Sequence, residues 1–250
     1  MDIIIFSGQS NAQGATGSMP QPNEPVSGAF EYRYLTDSLQ PLGHPCGEDI
    51  DGELVEAYEG FGSLPPYLCA EYVRLTGREV VAVHAARGST TVKIWDPKGG
   101  MYAAAIKKVR AAIKKVGTPE RVYLVWLQGE SDAHDRMGAD EYLERLTAIK
   151  NAFRADAGID VFGIIKVGYF NYIIPHSTPR DPLETKTADE TIMEAQERAA
   201  AQDRDFVMLS RLCPKLSLDK NMLNPRDPGH YNNEALELIG KDAAKTLAKL

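Results

Sequence analysis

Five short apolar runs, at residues 2–6, 79–85, 121–127, 161–167 and 205–209, recur along the chain with amphipathic stretches between them. Runs of this length that do not alternate with polar residues read as strands buried on both faces. Helical spacing of apolar residues marks the intervening stretches near 63–75, 100–116, 139–156 and 186–202, and a last one from 229 to 249. Strands that alternate with helices need crossover connections, which are right-handed and leave the strands parallel. The pattern predicts a three-layer α/β/α sandwich around a central five-stranded parallel sheet. No Pro/Gly/Ser-rich linker divides the 250 residues, so one domain spanning 1–250 is expected.

Two stretches break the alternation. Residues 14–61, rich in Gly, Pro and acidic residues, and 169–185, with Tyr169, Tyr172, Pro175, His176, Pro179 and Pro182, read as long loops. Long loops in a compact domain are usually lids or binding loops, and these two leave the sheet on one side. They are expected to shape a substrate cleft. The aromatic residues of 169–172 either line it or pack against the sheet edge.

Composition narrows the partners. A formal net charge of -7 and an isoelectric point near 5.3 disfavour binding to a phosphate backbone, so no nucleic acid is expected. The clearest basic cluster, Lys107, Lys108, Arg110, Lys114 and Lys115, has helical spacing and reads as a solvated helix face. No apolar run approaches the roughly 20 residues of a membrane span, so no membrane partner is expected. Residues after Met1 lack the basic and apolar regions of a secretory signal, which points to a cytoplasmic location. Cys46, Cys69 and Cys213 are too scattered for a disulfide framework and read as free thiols. His44-Pro45-Cys46, followed by Glu48 and Asp49, is the nearest approach to a metal site, but no second ligand pair follows at zinc spacing. Residues from Gly8 to Gly14 lack the Lys of a phosphate-binding loop and the Gly spacing of a dinucleotide fingerprint. Neither metal nor cofactor is expected.

Chemistry concentrates at three strand ends. Ile3-Ile4-Ile5-Phe6 runs into Ser7-Gly8-Gln9-Ser10-Asn11; the second strand runs into Arg87-Gly88-Ser89-Thr90; the third runs into Gln128-Gly129-Glu130-Ser131-Asp132. The carboxyl ends of parallel strands lie along one edge, where open α/β sheets bind ligands. Ser10, Gly88 and Gln128 can therefore converge. A serine hydroxyl needs a base, and of His44, His84, His134, His176 and His230 the last is the strongest candidate. In Arg226-Asp227-Pro228-Gly229-His230, Asp227 lies three residues before the imidazole and could orient it. Asp227 could equally cap the last helix, with Pro228 in its first position.

The ordered set resembles the SGNH hydrolase superfamily, and within it the sialate O-acetylesterase-like and acetylxylan-esterase-like carbohydrate esterases. Gly8-Gln9-Ser10-Asn11 looks like the first block of that branch, Arg87-Gly88-Ser89-Thr90 the second, Gln128-Gly129-Glu130-Ser131-Asp132 the third, and Asp227 with His230 the last. The resemblance implies a flavodoxin-like sandwich and a serine esterase with Ser10 as nucleophile, His230 as general base and acid, and Asp227 as its orienter. It implies oxyanion donors at the Ser10 N–H, the Gly88 N–H and a third-block side chain. The amide of Gln128 is expected to be that third donor, where the wider superfamily has asparagine. Gln9, Asn11, Gly129 and Glu130 are expected to support the site. An ionised Glu130 cannot donate, so it is expected to organise the turn. Two departures bear on the acyl pocket: Arg87 stands where the branch usually has glycine, and the tryptophan that follows is displaced to Trp95. Arg87 reads as a surface salt bridge or as an anchor for a substrate carboxylate.

The implied reaction removes an O-acetyl or similar short acyl group from a carbohydrate through an acyl-serine intermediate, without a cofactor. An acylated carbohydrate is the implied partner. The same triad would serve a carbohydrate O-transacylase, and the fold could also persist in a catalytically silent carbohydrate-binding protein.

Overall fold

A computed structural model describes residues 1–175 and 180–250. His176 and Pro179 lie outside the described residues. In chain order the strands are β1 (Asp2–Gly8), β2 (Ala29–Arg33), β3 (Ser38–Pro41), β4 (Val80–Ala86), β5 (Val122–Leu127), β6 (Val161–Ile165) and β7 (Phe206–Ser210). The helices are α1 (Ser10–Gln13), α2 (Leu64–Thr76), α3 (Gly100–Val116), α4 (Glu130–His134), α5 (Ala139–Ala157), α6 (Phe170–Ile173), α7 (Pro182–Gln202), α8 (Cys213–Leu216) and α9 (Asn233–Leu247).

The five apolar runs became β1, β4, β5, β6 and β7, adjacent in the order β4-β1-β5-β6-β7 and parallel throughout. This is the flavodoxin-like order. Winding reverses at β1, so the turns after β1 and β5 flank the crevice between them. Helices α2 and α9 pack together, α3 and α5 pack together and α5 packs on α7, which makes the three layers. β1 is buried along its whole length, as a strand covered on both faces must be.

Among the described residues the sheet has seven strands, not five. The added pair comes from the stretch read as a loop: β2 joins β4 in parallel, and β3 closes the edge antiparallel to β2. Charge hid β2. Glu31, in its middle, is buried because its carboxylate accepts the Gly47 N–H at 2.7 Å and lies 3.2 Å from Arg33 Nη1. Tyr32, also buried, donates to Asp37 Oδ1 at 2.9 Å.

The second loop is shorter than expected because α7 begins at Pro182, capped by Asp181, whose side chain accepts the Leu183 N–H. The last helix starts later than expected. Asn232 caps it by accepting the Ala235 N–H at 3.0 Å, so Asp227 is not its cap.

Lys108 corrects the reading of α3 as a solvated basic face. It sits one helical turn from the buried Ala104 and Ala112. Its Nζ is 2.9 Å from Glu48 Oε1, with both side chains almost wholly buried. Lys107 and Arg110 remain exposed. Cys46, Cys69 and Cys213 are buried free thiols. Among the described residues no helix is long and apolar enough to cross a membrane.

Candidate active site

Gly8 brings the two flanking turns together. Its φ is +143°, and a Cβ there would fall 2.0 Å from the Leu127 carbonyl oxygen, so only glycine lets β1 end so close to β5. The chain then turns at Gln9 into α1, whose first residue is Ser10. The Ser10 N–H opens a helical turn and has no carbonyl one turn earlier to bond.

Ser10 Oγ lies 2.8 Å from His230 Nε2, and both residues are buried. A tight turn holds the histidine: the His230 N–H donates to Asp227 O at 3.0 Å, and His230 O accepts the Asn224 N–H at 2.7 Å. The same turn sets Asp227 Oδ2 2.9 Å from His230 Nδ1, an ion-pair distance without the alignment of a full hydrogen bond. Such contacts tighten when substrate binds. With Nδ1–H toward the carboxylate, Nε2 keeps its lone pair for the Ser10 hydroxyl; that tautomer follows from the partners. Burial pushes the His230 pKa below 6.5, and the Asp227 carboxylate partly restores it. Burial thus favours the neutral imidazole, the form able to take a proton. Phe170 stands edge-on to the imidazole, 5.4 Å between ring centroids.

The supporting residues knit the turns together. Asn11 donates to Glu130 Oε1 at 2.8 Å and accepts the Tyr231 N–H at 3.2 Å. Gln9 Oε1 accepts the Ser131 N–H at 3.1 Å, the Gly129 N–H at 3.3 Å and Gln128 Nε2 at 3.3 Å. Gly129, at φ +145°, lies where a Cβ would meet Ile192 at 2.7 Å. Glu130 is buried, and loss of hydration raises its pKa to about 7, with Asp189 and Asp132 adding to the rise.

Two expected oxyanion donors are engaged elsewhere. Gln128 is fully buried and does not line the cleft; its amide nitrogen donates to Thr90 O at 2.8 Å and to Asp132. The reason is that Thr90 O and the Asp132 carboxylate surround its amide nitrogen with acceptors. The Gly88 N–H donates to Gln13 Oε1 at 2.7 Å.

Arg87 does not line the cleft; it donates to Gly52 O at 2.6 Å and lies 3.6 Å from Glu53. It is a salt bridge, not an anchor. Trp95 is buried, donating to Thr90 Oγ1 at 3.2 Å and standing edge-on to Trp126. At the possible metal motif, His44 Nδ1 accepts the Ser63 N–H, Cys46 donates to Gly43 O and Glu48 pairs with Lys108. Among the described residues no group of His, Cys, Asp and Glu is arranged to hold a metal ion.

Ser10 and His230 open onto a cleft of ≈ 630 Å³, large enough for one or two sugar rings. The long loops supply its walls, as expected: Tyr58 and Phe61 from the first, Phe170 and Ile174 from the second. Tyr169 instead turns outward to donate to Glu190. Tyr58, Phe61 and Asn224 were missed in the sequence, although Tyr58-Glu59-Gly60-Phe61-Gly62 sets aromatic residues among glycines in a loop already suspected of binding.

The sequence model of a family described as carbohydrate esterase, sialic acid-specific acetylesterase, matches residues 1–249. The chain belongs to this carbohydrate esterase family. An Arabidopsis thaliana protein named "Probable carbohydrate esterase At4g34215" is 28% identical over 180 residues, which cover 66% of this chain and 67% of that protein. The crystal structure from the same Arabidopsis locus superposes with a TM-score of 0.71 at 21% identity, covering 98% of this chain and 96% of that one. NanS superposes equally well, with a TM-score of 0.71 at 14% identity over 99% and 96% of the two chains. A lipase/acylhydrolase from Enterococcus faecalis shares the fold at a TM-score of 0.54 and 14% identity, over 99% and 95%. Family membership makes the chain a carboxylic ester hydrolase of the carbohydrate esterases, and the SGNH-type fold agrees with the resemblance in its four blocks.

Proposed function

We propose that the chain removes O-acetyl groups from a carbohydrate through an acyl-Ser10 intermediate. The observation that carries this reading is the 2.8 Å contact between Ser10 Oγ and His230 Nε2, both of which line the cleft. Ser10 Oγ attacks the acetyl carbonyl while His230 Nε2 takes the hydroxyl proton, and the carbonyl oxygen becomes an oxyanion. Collapse expels the sugar alkoxide, which receives the proton from His230. A water then gives its proton to His230 and attacks the acyl carbon, and acetate leaves as Ser10 Oγ recovers the proton. Asp227 steadies the imidazolium that forms in each half.

The lining favours a sugar without a carboxylate. Glu59, Asp135 and Asp227 face the cleft, and the guanidinium of Arg226 is drawn to Glu59 at 3.9 Å and over the Phe61 ring at 5.7 Å. An anionic sugar would meet a predominantly negative rim.

The test is rapid mixing with an excess of an activated aryl acetate, followed by acid quench and mass analysis of the Ser10 peptide. A burst of the aryl alcohol with an acetyl group on Ser10 is the expected result. Steady turnover with acetate appearing and no adduct in any quench would point to direct attack by water. Neutral acetylated sugars should be hydrolysed with a higher kcat/KM than an acetylated sugar acid.

A further inference from the structure

We infer that the side chain of Asn224 is the positioning residue that holds the Asp227 carboxylate at His230 Nδ1. The inference rests on the acyl-serine reading, whose base it concerns, and names a residue outside the four sequence blocks.

Asp227 has little of its own to keep it in place. It is 58% exposed, and among the described residues its carboxylate meets no donor other than His230 Nδ1, at 2.9 Å. Holding an exposed side chain in one geometry costs rotamer entropy that a single contact in water barely offsets. Where such a carboxylate stands is decided by the backbone beneath it.

That backbone is fixed from one residue. Asn224 lies opposite His230 where the chain folds back on itself. Leu223 and Tyr231 form an antiparallel bridge, the Asn224 N–H donates to His230 O at 2.7 Å, and the Asn232 N–H donates to Met222 O at 3.0 Å. Inside the loop, Asn224 Oδ1 accepts the Arg226 N–H at 2.9 Å, which makes an Asx turn, and Asn224 O accepts the Asp227 N–H at 3.2 Å. Pro225 and Pro228 bring no N–H, so the loop has few other donors with which to fix itself.

The same side chain reaches the segment that carries the nucleophile. Asn224 Nδ2 donates to Ala15 O at 2.8 Å, two residues beyond α1, whose first residue is Ser10. Gly17 makes room for it: φ there is +81°, and a Cβ would fall 2.2 Å from Asn224 Oδ1. Asn224 is buried, while Pro225, Arg226 and Asp227 after it are exposed. Its backbone N–H holds the His230 segment and survives truncation of the side chain; its side-chain oxygen holds the start of the turn that bears Asp227. Truncation therefore acts through Asp227 and spares the contact of His230 with Ser10. A carboxylate that drifts from Nδ1 steadies the imidazolium less, and small displacements are costly in the transition state.

Asn224→Ala, its fold verified by melting temperature, should lower kcat on an aryl acetate about tenfold or more while KM moves by less than about threefold. In an Asp227→Ala background the same substitution should lower kcat by less than about threefold, because the group it positions is gone. Equal fold-losses in the two backgrounds would make Asn224 a structural residue that acts apart from Asp227, and would overturn the inference. Asn224→Ser, whose hydroxyl can accept the Arg226 N–H in a similar turn, should bring kcat back to within about threefold of wild type. No recovery over Asn224→Ala contradicts the role of the turn. Wild-type kcat in a folded Asn224→Ala, with Ser10→Ala inert, overturns the Asn224 assignment and leaves the acyl-serine reading standing; full activity in Ser10→Ala overturns both. Amide hydrogen exchange of the wild-type protein needs no folded variant. The Arg226 N–H, although in an exposed loop, should exchange at least about tenfold more slowly than in the unfolded chain, and exchange at the unfolded rate contradicts the turn.

Discussion

Asn11 donates its side-chain amide to Glu130 and accepts the Tyr231 N–H, so the residue after the nucleophile ties the turn beyond β5 to the segment that carries His230. The distance from Ser10 to His230 is therefore set by a bridge as well as by the two turns. Asn11→Ala should leave Glu130 Oε1 and the Tyr231 N–H unpaired in a buried place. The expected loss is roughly 2–4 kcal/mol in urea unfolding, since two buried groups are orphaned. Kcat should drop more than the stability loss explains, and a variant with wild-type kcat would show that the bridge does not position the histidine.

The base must be neutral to work, and burial lowers its pKa from 6.5. The acid limb of kcat/KM should therefore lie below pH 6.5, with the plateau reaching down past that value. Asp227→Asn removes the charge that opposes the lowering, so the limb should move further to acid. Kcat should fall on the order of a hundredfold, less than the roughly ten-thousandfold of a fully buried aspartate, because Asp227 is 58% exposed. A limb that moves to higher pH in Asp227→Asn would contradict the pairing.

Glu130 titrates near 7 when folded against 4.5 ordinarily. Between those values the unfolded chain has lost the proton and the folded chain keeps it. The stability from this group is thus fully present below pH 4.5 and is lost as pH rises through about 7. Glu130→Gln has no such loss. Relative to wild type it should gain roughly 1–3 kcal/mol between pH 4.5 and 8, measured by urea unfolding at each pH. An unchanged difference between the two proteins across that range would place the carboxyl at an ordinary pKa.

Lys108 and Glu48 form a buried pair at 2.9 Å. Lys108→Ala should leave the buried Glu48 carboxylate without its ammonium partner, held by the Tyr34 and Leu35 N–H groups and Arg33, and destabilise the fold by about 3 kcal/mol. Lys107→Ala on the same helix, 54% exposed, should cost less than about 1 kcal/mol. Thermal melts of the two variants compare the costs, and equal melting temperatures would mean that Lys108 is not paired in solution.

Periodicity carried most of the fold. A strand buried on both faces leaves an unbroken apolar run, so β1, β4, β5, β6 and β7 were legible. β2 was not, because Glu31 and Arg33 interrupt it and are accommodated by Gly47, by each other and by Glu48. Lys108 was misread for the same reason: its partner Glu48 comes from a distant loop. Ser10, Asp227 and His230 were named from short ordered blocks, and the structure brings them within hydrogen-bonding reach. The direction of the Gln128 amide was hidden because Thr90 and Asp132, not its chain neighbours, decide where it points. Asp181-Pro182 carried a readable cap signal that would have shortened the second loop.

The most direct test of the account is acetate release from an activated aryl acetate and a panel of acetylated sugars by wild type and by Ser10→Ala of verified fold. Turnover by wild type and none by Ser10→Ala is the predicted result. Equal acetate release by the two proteins would contradict it.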